Sequence, residues 1–294
     1  MDNKVCVAII TYNIDGKIIE VVNSIIEQVD TVVIIDNASK MGTVNLLIAL
    51  SENKKVNVIF NKENFGIARA LNQGVEFAKQ NRCNWILTLD HDSVSQKNMV
   101  KNMFQCINGY KNEEKIGILT PRIYEVNKHD FISKKGYEKD KYIKVKDCIQ
   151  SGSLIRLSIF DKIGYLNEDL FVYYVDYDFC RRLVKAKYDI VQCNNVTLLH
   201  EEGYKVPKRI FGIKVFYNNY SSQVLYYIAR NTIYMCKTYS IMYIKRAIKD
   251  FVFILLFDDK RKERLSYFFK GIHDGLLNRY GRLEITLKTL ETLE

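Results

Sequence analysis

The chain has 294 residues, 48% hydrophobic and 27% charged, with only two prolines, which is the make-up of a folded globular protein rather than a disordered one. No apolar run approaches the roughly 20 residues that cross a bilayer; the longest in the C-terminal third, Phe251 to Phe257, has seven. The net charge of +10 is unevenly placed: residues 205–294 hold 17 Lys and Arg against 8 Asp and Glu, whereas residues 1–204 hold 27 against 26.

The first 120 residues alternate strand and helix patterns. Lys4–Ile10 is an apolar run of strand length, and Ile18, Val21, Val22, Ile25, Ile26 and Val29 recur at helical spacing. Thr31–Ile35 is a second β-branched run ending at Asp36, a short helix is predicted over Thr43–Leu50, and Val56–Phe60 reads as a third strand. Ile67, Ala70, Leu71, Gly74, Val75 and Ala78 follow the helical period again, and Trp85–Leu89 is a fourth strand ending at Asp90. Strands separated by helices imply βαβ units and a mostly parallel central sheet flanked by helices. From Ile116 to His200 the segments shorten: Ile116–Thr120, Tyr142–Val145, Ile149–Ile155, Ile190–Val191 and Val196–His200. Asp176–Ala186 reads as a helix with carboxylates in its first turn. The last third is mainly helical, with Ile244, Ile248, Phe251, Val252, Leu255 and Leu256 on one apolar face beside Lys245, Arg246 and Lys249.

Val5 to Ile10 is short and leads into polar residues, unlike a signal-peptide core. Seven cysteines without a CxxC pair point to reduced thiols in a cytosolic protein, not to a disulfide framework or a zinc ribbon. No glycine-rich phosphate loop follows the first strand, which disfavours a dinucleotide dehydrogenase or a P-loop NTPase.

In open parallel sheets, ligands bind outside the carboxyl ends of the strands. Those ends are polar here: Thr11-Tyr12-Asn13, Asp36-Asn37-Ala38-Ser39, Asn61 with Asn64, and Asp90-His91-Asp92. They are expected to line one rim. Asp90 and Asp92, flanking one residue at a strand end, can converge on a hard divalent ion such as Mg2+, or else form an ordinary acidic turn; their place after an apolar strand favours the metal. Gly66 opens the third helix, where backbone N–H groups favour anions, or is a plain helix-start glycine.

Val7–Asn13, Val33–Ser39, Asn61–Gly74 and Leu87–Ser93 occur in order and together resemble the family 2 glycosyltransferases, which have the GT-A fold. Gln150–Ile155, Val175–Leu183 and Tyr226–Asn231 resemble the rhamnosyltransferase branch, so the likeness runs from about residue 4 to 282. The resemblance implies a catalytic domain over residues 1–204, with a nucleotide-sugar half at 1–92 and an acceptor half at 93–204, followed by a basic helical region at 205–294. It implies that Thr11, Tyr12, Asp36, Asn37 and Ser39, with Asn13 on the same rim, hold the nucleotide. Asn64, Gly66 and Arg69 would close that site. Asp90 and Asp92 would form the DXD motif with His91 between them, Asp92 being the direct ligand of Mg2+ or Mn2+. His200, opening a His-x-x-Gly element with Gly203, would complete the metal shell, contact the diphosphate, or be merely structural.

The resemblance picks Asp176 as the general base over Asp178. The family often has Glu where Asp178 stands and Trp where Phe179 stands, and Asp178 is better read as a helix cap. Arg230, in a Tyr-Tyr-x-x-Arg-Asn element, would contact phosphate or pair with a carboxylate. Ser151 and Gly152 would form an acceptor-side wall, or reflect tight packing. The implied reaction is an inverting transfer from a nucleotide diphospho-sugar, dTDP-L-rhamnose by branch, to a hydroxyl of a surface polysaccharide or lipid-linked saccharide. A UDP-hexose or UDP-N-acetylhexosamine donor is the alternative. A nucleotidyltransferase and a nucleic-acid-binding protein, the latter suggested by charge alone, rank below; no nucleic acid is expected. The basic helices fit peripheral contact with an anionic membrane at the cytoplasmic face, or packing on the protein or a second subunit.

Overall fold

A computed structural model describes residues 3–132, 140–201, 205–210 and 213–284. In chain order it contains β1 (Val5–Thr11), α1 (Lys17–Ile25), β2 (Thr31–Asp36), α2 (Met41–Leu50), β3 (Val56–Phe60), α3 (Gly66–Gln80), β4 (Trp85–Asp90), β5 (Val94–Ser95), α4 (Met99–Cys106), β6 (Ile116–Glu125) and β7 (Asp130–Phe131). There follow β8 (Tyr142–Val145), β9 (Ser153–Arg156), α5 (Phe160–Ile163), α6 (Val175–Lys185), β10 (Asp189–His200), β11 (Lys205–Ile210), β12 (Ile213–Asn218), α7 (Ser222–Thr238), α8 (Ile244–Phe257) and α9 (Arg261–Leu276). The described residues fall into two compact units, Met1–Leu166 with Asp176–Glu201, and Asn167–Val175 with Glu202–Glu294.

The first unit is built on one sheet in the order β3-β2-β1-β4-β9-β6-β10-β5, with β7 on β6 and β8 on β10. Strands β3, β2, β1 and β4 run parallel. Of these, β2, β1 and β4 are covered on both faces, so β1 is buried at every position and reads as a continuous apolar run. Helix α1 turns Ile18, Val21, Val22 and Ile25 inward, and α3 does the same with Ala70, Leu71 and Val75. Strand β3 lies at the end of the order, and its Phe60 is exposed.

The sheet is mixed, because β9 pairs antiparallel with both β4 and β6 while β6 and β10 run parallel. The first four strands carry the parallel pattern read from the sequence. Helix α2 begins two residues before the predicted Thr43. The predicted segment Ile149–Ile155 becomes a strand only from Ser153, since Gln150 to Gly152 form a turn. The two short segments Ile190–Val191 and Val196–His200 are one strand, β10, whose register against β6 shifts between Cys193 and Thr197.

After β10 the second unit contains an antiparallel hairpin, β11 with β12, where helix was expected; helices α7 to α9 follow. The domain boundary expected at residue 204 lies outside the described residues, as do Glu202 and Gly203. Within this unit Leu225, Ala229, Ala247, Ile254 and Phe268 form a core. Residues 167–175 belong here although they precede α6. In that segment Phe171, Tyr173 and Tyr174 have φ of +62°, +63° and +65°, a region costly for bulky side chains. The adjacent carbonyls are held: the Asn231 amide donates to those of Leu170, Val172 and Tyr173 at 2.9, 2.8 and 2.9 Å. Arg230 donates to those of Asp169, Leu170 and Gly281 at 3.0, 2.9 and 2.5 Å. Phe171 stacks on Tyr227 with ring centroids 5.0 Å apart.

Candidate active site

Parallel pairing brings the polar strand ends together. Thr11 stands opposite Asp36 in the β1–β2 register, and Ile10 stands opposite Asp90 in the β1–β4 register. Asp36 is buried, and both its oxygens are engaged. Thr11 Oγ1 and Ser39 Oγ donate to one at 2.9 and 2.6 Å, and the Ser39 amide donates to the other at 2.9 Å. The Asn13 amide donates to Ser39 Oγ at 2.7 Å, and Asn13 Oδ1 accepts from the Lys40 amide at 2.9 Å. These bonds fix the two loops against each other. Tyr12 is left half-exposed above them.

Asn37 Nδ2 donates to the Gly66 carbonyl at 3.2 Å, and Asn61 donates to Asn37 Oδ1 at 3.0 Å. Gly66 has φ of +82°, which a side chain would strain. Its N–H already donates to Asn64 Oδ1 at 2.9 Å. That amide is therefore committed to a side chain, so any anion at this helix start would be met by the amides that follow Gly66. Arg69 lies 4.1 Å from the Phe65 ring centroid, one turn into α3.

The end of β4 carries the acids, with His91 half-buried between Asp90 and Asp92. Ligand atoms of Asp90, Asp92 and His200 all lie within 4.8 Å of one another. His200 Nδ1 is 3.6 Å from Asp92 Oδ1. Burial, then the charges of Asp92 and Asp176, push the Asp90 carboxyl up to about 7. A cluster of acids with so little compensation suits a hard divalent cation, and two carboxylates with an imidazole are a donor set that Mn2+ or Mg2+ accepts. These residues fit the metal that the sequence implies.

Asp176 sits in the first turn of α6 with Oδ1 accepting from the Tyr177 amide at 2.9 Å. It lines a small cavity of about 20 Å3 whose walls include Leu71, Ile118, Phe160 and Phe179. Burial pushes its carboxyl up to about 6, against the pull of main-chain groups at Tyr177 and Gln150. A carboxylate tuned in this way is suited to accept a proton near neutrality. Asp178 points the other way, as two residues of helix require. It is fully buried and pairs with Arg182 at 2.9 Å, an intrahelical ion pair one turn apart.

Two further expectations change. Ser151 is fully buried, not an acceptor-side wall: its Oγ accepts from the Asp90 amide at 3.0 Å and donates to Ser93 Oγ at 2.8 Å. Gly152 has φ of +85°, and a Cβ there would meet Pro121 at 2.8 Å and Leu198 at 2.9 Å, so it is tight packing. Arg230 belongs to the second unit and is fully buried, and among the described residues its bonds go to main-chain carbonyls and an amide oxygen rather than to a carboxylate. Its partners are the three carbonyls above and Asn231 Oδ1 at 2.9 Å.

Two residues were not singled out from sequence. Gln150 Nε2 donates to Asp90 Oδ1 at 3.1 Å. Ser93 Oγ lies 2.8 Å from His200 Nδ1 and donates to Asp92 Oδ1 at 3.3 Å. Gln150 opens the Gln150–Ile155 segment and Ser93 closes Leu87–Ser93, and their polarity beside the acids was the available signal.

A twisted α/β sheet with a buried acid at one strand end and an Asp-x-Asp pair at another is the architecture of a GT-A glycosyltransferase, an enzyme that takes its sugar from a nucleotide. A family model described as Glycosyl transferase family 2 matches residues 6–164, and the chain belongs to that family. It is 24% identical over 288 residues to the dTDP-rhamnosyl transferase RfbF of Shigella flexneri, covering 92% of this chain and 94% of that one. It is 28% identical over 133 residues to the low-salt glycan biosynthesis hexosyltransferase Agl10 of Haloferax volcanii, covering 45% and 42%. Among solved structures it is similar to GalNAc-T7 with UDP, GalNAc and Mn2+, with a TM-score of 0.60 and 14% identity. That match covers 93% of this chain and 56% of the other, and it carries the fold alone.

Proposed function

We propose that this glycosyltransferase transfers L-rhamnose from dTDP-L-rhamnose, with inversion, to a hydroxyl of a surface-polysaccharide or lipid-linked saccharide. The donor is supported by the similarity to a dTDP-rhamnosyl transferase over nearly the whole chain. The observation that carries the mechanism is the Asp176 carboxyl, pushed up to about 6 and close enough to Asp90 for its charge to raise that group too.

In this reading Thr11, Asp36 and Ser39 form a rigid seat for the base and ribose, since their mutual bonds leave little to reorganise on binding. Asp176 takes the proton of the acceptor hydroxyl as that oxygen bonds to the anomeric carbon and the bond to the nucleoside diphosphate breaks. Gln150 and Ser151 hold Asp90 in place. A divalent ion at Asp90, Asp92 and His200 would supply Lewis-acid stabilisation of the leaving diphosphate. A lipid-linked acceptor would place the chain peripherally at the cytoplasmic face of a membrane, and no described helix is long and apolar enough to cross one.

The test supplies the protein with dTDP-rhamnose, UDP-hexoses and UDP-N-acetylhexosamines and a synthetic acceptor, and identifies the product and its anomeric configuration by mass spectrometry and NMR. A hexose product would replace the donor assignment with the alternative. Asp176→Asn should lose at least ~1,000-fold in kcat while donor binding stays; retained turnover would place the base elsewhere.

A further inference from the structure

Helix α8 is apolar on two sides. Its inner side places Ala247 and Ile254, with Ile244 and Phe251, against Leu225 and Phe268 in the core of the second unit. Its outer side presents Ile248, Val252, Leu255 and Leu256, and the turn before it adds Ile241 and Met242. All six are exposed, Ile241 at 68% and Ile248 at 57%. The single apolar face expected from the sequence is thus two faces, one packed and one open.

The charges of this region are sorted as well. Asp250 is buried and pairs with Arg246 at 2.7 Å. Asp258 is buried and bonds to Arg264 and the Tyr217 hydroxyl. Lys245 and Lys249 are exposed on α8 itself, and Lys260, Arg261 and Lys262 are exposed just beyond it. Between residues 241 and 262, all of them described, Asp259 is the one acid at the surface. Around α8, two of the three acids are buried and paired, and the lysines lie outside next to apolar side chains.

We propose that the outer face of α8 docks on an anionic lipid surface, with the helix lying in the plane of the interface. A short amphipathic helix with lysines beside its apolar stripe binds there by burying the stripe among the acyl chains and setting the cations against the headgroups. Charge favours this occupant over a second copy of the chain, which would bring the same basic helix up against itself. The proposed function contributes only the reason for docking, a lipid-linked acceptor, and the two fail separately.

The full chain is sedimented with phosphatidylcholine vesicles, with and without phosphatidylglycerol, at low and high salt. Partitioning should be at least ~10-fold stronger on the anionic vesicles at low salt. Lys245→Ala and Lys249→Ala should each weaken it about fivefold. Ile248→Ser and Leu255→Ser, at exposed positions, should each weaken it about 10-fold with the unfolding midpoint unchanged. Equal partitioning into both vesicle types, or variants that partition like the parent, would overturn the proposal. So would light scattering that shows Ile248→Ser converting a dimer to a monomer without any vesicle binding, since the face would then belong to a second copy. Nucleotide-sugar binding, followed by thermal shift, reports on the proposed function independently: a chain that sediments with lipid and uses a UDP-hexose keeps the docking and loses the donor.

Discussion

Replacing Arg230 with methionine separates a structural guanidinium from a substrate-binding one. The side chain is fully buried, and burial holds its pKa below the usual arginine range. Its donors serve the carbonyls of Asp169, Leu170 and Gly281. The Leu170 carbonyl would keep its bond from Asn231 and that of Asp169 its bond from the Gly281 amide, but the Gly281 carbonyl and Asn231 Oδ1 would lose the donor seen here. Hydrogen bonds to a charged group are worth about 1.5–3 kcal/mol each, and relief of the buried charge offsets part of the loss. The expected net cost is about 3–4 kcal/mol, or more than ~10 °C in the melting of a unit of this size. Thermal and urea unfolding, followed by the near-ultraviolet tyrosine signal, would read it. Arg230→Lys should recover little, because one ammonium cannot span three diverging carbonyls. An unchanged midpoint together with a tenfold rise in donor KM, rescued by lysine, would refute this account and return Arg230 to the phosphate.

The remaining expectations concern the acids. Turnover should fall about tenfold per pH unit below about 6, as the Asp176 carboxyl, raised by burial, takes up its proton; a kcat profile flat to pH ~4 would contradict the assignment. Stability runs the other way. The folded Asp176 binds its proton more tightly than an unfolded carboxyl near 3.8, so its contribution improves as pH falls through about 6 toward 3.8 and worsens as pH rises. The midpoint of Asp176→Asn should therefore gain on that of the parent as pH rises through this window, and a constant gap would count against it. Mn2+ should raise the unfolding midpoint of the parent and leave that of Asp92→Asn unmoved; equal shifts would show that the ion binds elsewhere.

The sequence was legible where a residue's role follows from its own element. Apolar runs ending in Asp36 and Asp90 place those acids at strand ends, and parallel pairing alone brings them to one rim. Asp176 stood out because the Val175–Leu183 segment resembles the rhamnosyltransferase branch, with its carboxylate in the first turn of a helix. Residues whose roles depend on a loop meeting a distant strand were not legible. Gln150 and Ser151 reach Asp90 from sixty positions away because β9 inserts antiparallel beside β4, and nothing in Gln150–Gly152 announces that pairing. The Asp178–Arg182 pair was present as an i,i+4 spacing, but without knowing which side of α6 is buried, a cap reads equally well. The hairpin β11–β12 was hidden by its lysines, since a strand pair that is not an all-round buried core shows no continuous apolar run.

The segment before α6 bears on how such enzymes can be recombined. Phe171, Tyr173 and Tyr174 hold costly backbone angles, and the groups that bond the carbonyls around them, Arg230 and Asn231, lie on α7. Residues 167–175 therefore depend on the C-terminal helices for their conformation, although they precede Asp176 in the chain. A chimera that exchanges tails between two such transferases with one junction near residue 204 would pair one parent's aromatic hinge with the other's clasp. Junctions at 166 and 176, carrying the hinge along with the tail, keep the two matched.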